Sequence, residues 1–195
     1  VKDRLYTSKT DSLVRRSCQT SLDKLLNILI RLIAPILSYT AEEIWQSCPN
    51  LNNQEESVFL SNYLTNENKD KLEISNEEWK RLFEIKDSVN QSIEQLRNDN
   101  KLKGSLDAVV NIEAHDADFS ILEKLGTELH FLFISSEANI KKGSSLKINI
   151  TNSEHEKCVR CWHRDVTVGK NDLYREICQR CITNIAAEGE QRSFV

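Results

Sequence analysis

Two pairs of cysteines near the end of the chain constrain its fold more than any other feature. The pairs are Cys158–Cys161 and Cys178–Cys181, each a C-x-x-C knuckle, and sixteen residues separate them. Two such knuckles can place four thiolates tetrahedrally around one Zn²⁺, with Zn–S distances of about 2.3 Å. Four protein ligands leave no position for water, so this metal would be structural. The sequence therefore predicts a zinc-finger module over residues 155–195.

Two other interpretations of the knuckles remain open. They could form redox dithiols, although that chemistry needs a thioredoxin-like strand and helix around them. His163 could also replace one cysteine as a ligand. The remaining cysteines, Cys18 on an apolar helix face and Cys48 at a helix end, are interpreted as ordinary small hydrophobes.

Helices are predicted in the first half of the chain. Apolar residues recur at three- and four-residue steps over residues 12–34, the period of one helical face, and Pro35 ends or bends this segment. The stretch Thr40–Glu43 has the pattern of a capping box at the start of a short helix. Ser75–Glu78 has the same pattern, and it precedes a second long helix that stops near residues 98–100.

The apolar period then changes from 3.6 to 2. Residues 106–114 alternate between apolar and polar positions, as in a half-buried strand. A short helix is expected over 119–125, ending at Gly126, and two further strands over 131–134 and 146–150. The predicted fold is mainly α, with a small α+β segment and a C-terminal zinc-finger module.

These patterns divide the chain into three parts. We expect a helical domain over residues 1–74, an α+β segment over 75–154 and the zinc finger over 155–195. Residues 50–74 read as an irregular polar connection.

Charge excludes a uniformly basic nucleic-acid binder. The net charge is −4, and it is uneven: residues 1–48 carry +2, residues 155–195 carry +1, and residues 49–154 carry −7. The ends of the chain are therefore the places to look for an anionic partner. No secretory signal begins the chain, and its longest apolar run is too short and too polar to span a bilayer. We expect an intracellular chain without a membrane contact, and the absence of Met indicates a piece of a longer protein.

Aromatic and basic side chains surround the knuckles. Trp162 directly follows the first knuckle, and it either covers the zinc site or stacks on an unpaired base, a contact worth about 1–3 kcal/mol. Arg160 lies inside the first knuckle, where we expect it to point outward and to contact a base or phosphate. Arg164 and Arg180 are further candidates. Weaker ones, which solvation explains at least as well, are Arg15, Arg16, Lys101 and Lys103.

Several stretches resemble one protein family. KDRLY at residues 2–6 and RRSCQTSLDKLLNILIRLIAPILSYTAEEIW at 15–45 resemble the helical anticodon-binding domain of class I aminoacyl-tRNA synthetases for isoleucine, valine and leucine, with the segment that leads into it. SVNQSIEQLRNDNKLKGSLDAVVNI at 88–112 resembles the α+β segment that follows in the bacterial isoleucine enzymes. The tail, CVRCWHRDV and EICQRCITNIAAEGEQRSF, is similar to their C-terminal zinc finger.

This resemblance implies a function. The family attaches isoleucine to tRNA(Ile) with ATP in the cytoplasm, and the signature motifs of its catalytic domain, of the His-Ile-Gly-His and Lys-Met-Ser-Lys-Ser types, are absent here. The chain would then carry no catalytic residue, leave ATP binding to the missing catalytic domain, and hold the anticodon stem-loop as part of a monomeric synthetase. The Trp that the family associates with anticodon recognition matches Trp162, and the Arg beside it matches Arg160.

Two other classes of protein remain as alternatives. Formamidopyrimidine-type DNA glycosylases carry the same type of zinc finger, but they need an N-terminal catalytic proline, and the only prolines here are Pro35 and Pro49. A stand-alone protein-binding module would need no catalytic motif, although the synthetase-like helices do not favour it.

Overall fold

The computed structural model describes residues 1–48, 55–63 and 73–194, and these form seven α-helices and three β-strands. The elements in chain order are α1 (Lys2–Thr7), α2 (Leu13–Ile33), α3 (Ser38–Ser47), α4 (Asn76–Asn98), β1 (Ala108–Ala114), α5 (Asp116–Leu125), α6 (Leu129–Phe133), β2 (Glu137–Lys142), β3 (Lys147–Asn152) and α7 (Gln179–Ala186). The predicted mainly α fold with a small α+β part is confirmed. Most of the predicted polar connection lies outside the described residues. Within them, no helix is both long and apolar enough to cross a bilayer.

The sheet has β1 at its centre, with β2 parallel on one side and β3 antiparallel on the other. Side chains of β1 alternate between buried and half-buried, which confirms the predicted period of 2. Val110 lies opposite Ala138 of β2 and Ile150 of β3 in the register. One face of the sheet is therefore apolar, and it needs a covering layer.

The long helix α4 supplies part of that layer. The main core contains its inward side chains together with those of the sheet and of α5 and α6: Leu82, Ile85, Val89, Ile93, Val110, Ile112, Leu122 and Phe133. The predicted capping box fixes where α4 begins. The Glu78 amide donates to Ser75 Oγ at 3.2 Å, and the Ser75 amide donates to Glu78 Oε2 at 2.9 Å.

The prediction of a strand at 131–134 is wrong, because this stretch belongs mostly to α6. Leu129, Leu132 and Phe133 are buried on one helical face, at the i, i+3, i+4 spacing. A four-residue apolar run does not distinguish a strand from a buried helix, and packing against the core decides here. The strand β2 follows instead, and its polar sequence gave no alternation strong enough to predict it.

Helices α2 and α3 also differ from expectation. Helix α3 begins at Ser38 without a side-chain cap, so the predicted capping box at Thr40 is wrong. The apolar stripe of α2 is mainly exposed: Leu25, Leu29 and Leu32 are each more than half exposed. A second, smaller core lies between α2, α3 and a 3₁₀ turn at Val58–Leu60.

Substitution of Ser75 by Ala tests the capping box. We expect the free energy of unfolding to fall by about 1 kcal/mol, because the Glu78 amide loses its acceptor. The matched control is Ser88→Ala, since Ser88 is inside α4 and its hydroxyl donates only to the Glu84 carbonyl. Urea unfolding followed by circular dichroism measures both, and equal stability of the two variants would contradict the capping role.

Candidate metal centre and nucleic-acid interface

The fold brings the four knuckle cysteines together. All four are buried, and their sulfurs lie within 4.8 Å of one another. The Cys158–Cys181 and Cys161–Cys178 sulfur pairs are each 3.7 Å apart. A tetrahedron with Zn–S bonds of about 2.3 Å has sulfur–sulfur edges of about 3.8 Å. The four thiols and the distances between them therefore fit one tetrathiolate zinc ion. The sulfur–sulfur distances are also longer than a disulfide bond, which is about 2.05 Å.

His163 stands apart from this cluster. Its side chain is buried, and its ring meets the rings of His130 and Phe131 edge-on, at centroid distances of 5.5 and 5.7 Å. The group of potential ligands found among the described residues contains the four cysteines without it. Through its ring, His163 joins the knuckle to the α+β part. Its carbonyl accepts from the Cys158 amide at 2.9 Å, within the knuckle.

The surroundings of Cys181 favour a thiolate. The pKa of this thiol is lowered well below its ordinary value, first because the thiols of Cys161 and Cys178 donate to it, and further because the positive charges of Arg160 and Arg180 favour the thiolate. Burial acts in the opposite direction. A stabilised thiolate is the form that binds a metal.

Trp162 is exposed on the surface of the module. The residue is 61 % exposed, so most of its surface faces solvent. Its backbone has φ of +69°, a left-handed conformation that is rare for a bulky residue and costs about 1–3 kcal/mol. The Trp162 amide donates to the Cys158 carbonyl at 2.9 Å, which fixes this turn. Lys157 Nζ lies 5.7 Å from the ring centroid.

Arg160 and Arg180, both predicted as RNA contacts, face inward to α1. Arg160 donates to the backbone carbonyls of Thr7 at 2.6 Å and Tyr6 at 3.4 Å, so it does not point outward as expected. Arg180 donates to Asp3 Oδ1 and to Thr7 Oγ1, each at 2.7 Å. The reason is electrostatic: the carbonyl end of a helix and a carboxylate both attract guanidinium groups.

Arg164 connects the module to the start of the sheet. Its Nε donates to Asp107 Oδ1 at 2.6 Å, and its Nη1 donates to the His155 carbonyl at 3.0 Å. Its backbone amide also donates to Ser136 Oγ at 2.6 Å. These contacts occupy the guanidinium that the sequence assigned to RNA.

The weaker candidates differ in their exposure. Arg15 is half-buried in the first turn of α2, and Arg16 beside it is exposed. Lys101 pairs with Asp99 at 3.1 Å, and Lys103 is exposed.

Sequence reasoning missed two groups at the site. The first is Lys157, whose Nζ lies over the Trp162 ring. In the sequence it stands only five residues ahead of the Trp. The bridge with Arg164 that places it there is visible only in the structure. The second group is a largely buried cluster of Asp3, Glu190 and Arg192 with Arg180. Arg192 Nε donates to Glu190 at 3.0 Å, and its Nη2 contacts Asp3. Residues so far apart in sequence leave no local signal.

The fold and the site define a class of protein, and comparisons with known sequences agree. Residues 1–112 match the family described as "Anticodon-binding domain of tRNA ligase", and residues 156–184 match "Zinc finger found in FPG and IleRS". The chain therefore belongs to the family of tRNA-ligase anticodon-binding domains.

Curated relatives narrow the likeness to one kind of ligase. The chain is 41 % identical over 208 residues to the isoleucine–tRNA ligase of Idiomarina loihiensis, 40 % over 208 to that of Glaesserella parasuis, and 42 % over 209 to that of Francisella tularensis subsp. novicida. Each alignment covers 100 % of this chain and 22 % of the relative. The resemblance that the sequence motifs indicated is confirmed.

Loss of one knuckle thiol tests the metal centre. In Cys178→Ser we expect zinc content to fall from about one ion per chain to well below one, because a neutral hydroxyl replaces a thiolate ligand. Cys48→Ser is the control, since Cys48 lies outside the cluster. Elemental analysis after dialysis measures the zinc. Equal content in the two variants would contradict the four-cysteine assignment.

The half-buried ring of His130 gives a pH dependence. Burial, and after it the charges of Arg180 and Arg192, lower its pKa to about 4, while Asp3 opposes the shift. A depressed folded pKa means that protonation favours unfolding, so stability is complete above about pH 6.5 and is lost as the pH falls toward 4. Between about pH 7 and pH 5 we expect His130 to cost the chain about 2 kcal/mol.

His130→Gln separates this effect from other titrations. The variant keeps the metal centre and His163, so the difference between the two pH profiles belongs to position 130. Urea unfolding at each pH measures it. Profiles that run parallel would contradict a neutral, half-buried His130.

Proposed function

We propose that this chain is the tRNA-binding part of an isoleucine–tRNA ligase and that it holds the anticodon stem-loop of tRNA(Ile). Cys158, Cys161, Cys178 and Cys181 bind one structural zinc ion in this proposal. The parent enzyme attaches isoleucine to tRNA(Ile) with ATP, and the ATP site belongs to a part that this chain lacks. We place the enzyme in the cytoplasm as a monomer, following its relatives' family.

The observation that carries the proposal is the exposed ring of Trp162 on a strained turn. Most of this large aromatic residue is left exposed, at 61 %, so burial alone does not account for its position. Strain of this kind persists only where the surrounding structure holds it, and it marks sites of function. An exposed, fixed aromatic face beside Lys157 suits an unpaired base and its phosphate. We infer that Trp162 stacks on a base of the anticodon loop.

The other proposed contacts differ in how available they are. Arg16 and Lys103 are exposed and, among the described residues, form no ion pair, so they can reach phosphates. Lys101 is paired with Asp99, and Arg15 is half-buried. Arg160, Arg164 and Arg180 reach RNA only if they exchange their present partners, so we assign them secondary roles.

The exposed apolar stripe of α2 supports the part of the proposal that concerns the rest of the synthetase. Leu25, Leu29 and Leu32 lie at helical spacing on one face, and Ile36 continues it at 83 % exposure. A contiguous apolar face of this length indicates a contact surface. We propose that the remainder of the parent chain packs on it, and that the three segments 1–74, 75–154 and 155–195 act as one RNA-binding unit.

Trp162→Ala tests the stacking contact. We expect binding of an isoleucine anticodon stem-loop to weaken by about 1–3 kcal/mol, roughly 5- to 150-fold, through loss of the ring face. Trp162→Phe is the matched control, because it keeps an aromatic face and should retain most of the affinity. Fluorescence anisotropy with labelled RNA measures both at one fixed salt concentration, since phosphate contacts make affinity salt-dependent.

Three RNA and DNA ligands decide between the functional classes. Preference for the native loop over the same stem with a scrambled loop supports anticodon recognition. Preference for a lesion-containing DNA duplex would favour the glycosylase class instead. Equal affinity for all three would contradict anticodon reading by this chain.

A further inference from the structure

The metal centre leaves a charge that the protein must balance. One Zn²⁺ with four thiolates carries a net charge of −2, and all four cysteines are buried. A buried charge is costly unless opposite charges and hydrogen bonds compensate it. Two arginines occupy the equivalent position in the two knuckles, directly before the second cysteine: Arg160 before Cys161 and Arg180 before Cys181.

Both arginines are part of the metal-binding knuckles, since each lies between the two cysteines of its pair. The two positive charges equal the net negative charge of the centre. Arg180 is also shielded from solvent, with 17 % of its side chain exposed, so its charge is not dissipated in water.

The same two guanidiniums hold α1. Arg160 caps its carbonyl end through Tyr6 and Thr7, and Arg180 binds Asp3 in its first turn and the Thr7 hydroxyl. Thr7 and Arg160 are 153 residues apart in sequence. A six-residue helix that buries only Thr7 has too little structure to be stable alone. Its position therefore depends on these contacts.

We propose that Arg160 and Arg180 are positioning residues that join the metal centre to α1, so that metal binding fixes α1 and, through it, the start of α2. Arg4 of α1 reaches Ser17 of α2 at 3.4 Å, which continues the connection into the helical part. The inference rests on the proposed four-cysteine zinc site, and it is independent of RNA binding.

Thermodynamic linkage makes the proposal reciprocal. If the metal strengthens the docking of α1, docked α1 must strengthen metal binding by the same factor. Asp3→Asn removes the carboxylate that Arg180 binds, although Asp3 is not a metal ligand. A role for α1 that is only structural would leave metal affinity unchanged in this variant.

The test combines metal titration with hydrogen exchange on the 195-residue chain. Cobalt(II) absorption shows whether a tetrathiolate site forms, and zinc competition then gives its affinity. We expect Asp3→Asn to weaken zinc binding by about tenfold, within the usual range of coupling between sites. Asp11→Asn is the matched control, because the Asp11 side chain is 74 % exposed and its ion pair with Lys9 is long, at 3.9 Å. It should leave zinc affinity unchanged.

Hydrogen exchange in residues 1–8 gives the second readout. Chelation of the metal should remove protection of α1 in the unaltered chain, and in Arg160→Gln protection should be low with or without metal. Arg160→Lys keeps the charge and should restore part of the dependence.

Three outcomes would overturn the proposal. The first is unchanged zinc affinity in Asp3→Asn, and the second is α1 protection that does not respond to metal although cobalt(II) is bound. The third is absence of a tetrathiolate cobalt(II) spectrum, which would overturn the metal assignment as well. By contrast, failure of RNA binding while zinc affinity and hydrogen exchange respond as expected would overturn only the proposed function.

Discussion

A largely buried cluster of opposite charges joins the two ends of the chain, and the placement of α1, α7 and the tail relative to one another depends on it. Asp3 of α1 and Glu190 near the last described residue both meet Arg180 and Arg192. Burial opposes the charge of Asp3, yet the two guanidiniums hold its pKa well below its ordinary value. A buried ion pair adds little net stability, but loss of one partner leaves an uncompensated charge. The cluster therefore permits only arrangements in which α1, α7 and the tail lie together.

Phe131 extends this constraint to the α+β part. The Arg192 guanidinium lies 3.4 Å from the centroid of its ring, and that of Arg180 lies 5.0 Å away. The tail is fastened nearby, since the amides of Ser193 and Phe194 donate to the Glu128 carboxylate at 2.5 and 2.9 Å. The helical conformation of α6 thus matters beyond its own packing, because it presents Phe131 to both arginines while its neighbours enter the core.

The parts of the structure that follow from short stretches of sequence could be predicted, and those that depend on distant partners could not. The capping box at Ser75 and the two C-x-x-C knuckles each lie within four residues, so their patterns are visible in the chain. The direction of Arg160 depends on carbonyls 153 and 154 residues away, and no local pattern reveals that. Periodicity predicted the apolar face of α2. It does not show whether another segment packs on that face.

The intramolecular contacts of three arginines change which side chains of the zinc module are available to RNA in the proposed function. Arg160, Arg164 and Arg180 are bound to other parts of the protein. Trp162 and Lys157 are then an adjacent aromatic and basic pair that the module exposes to solvent. The Trp162 amide donates to the Cys158 carbonyl and the His163 carbonyl accepts from the Cys158 amide, so the ring is carried by a turn that the knuckle fixes from both sides. Preorganised groups lose less conformational entropy on binding. Under the proposed function, the metal, the charged cluster and α1 act together, because they hold the Trp162 ring in the position where a base can stack.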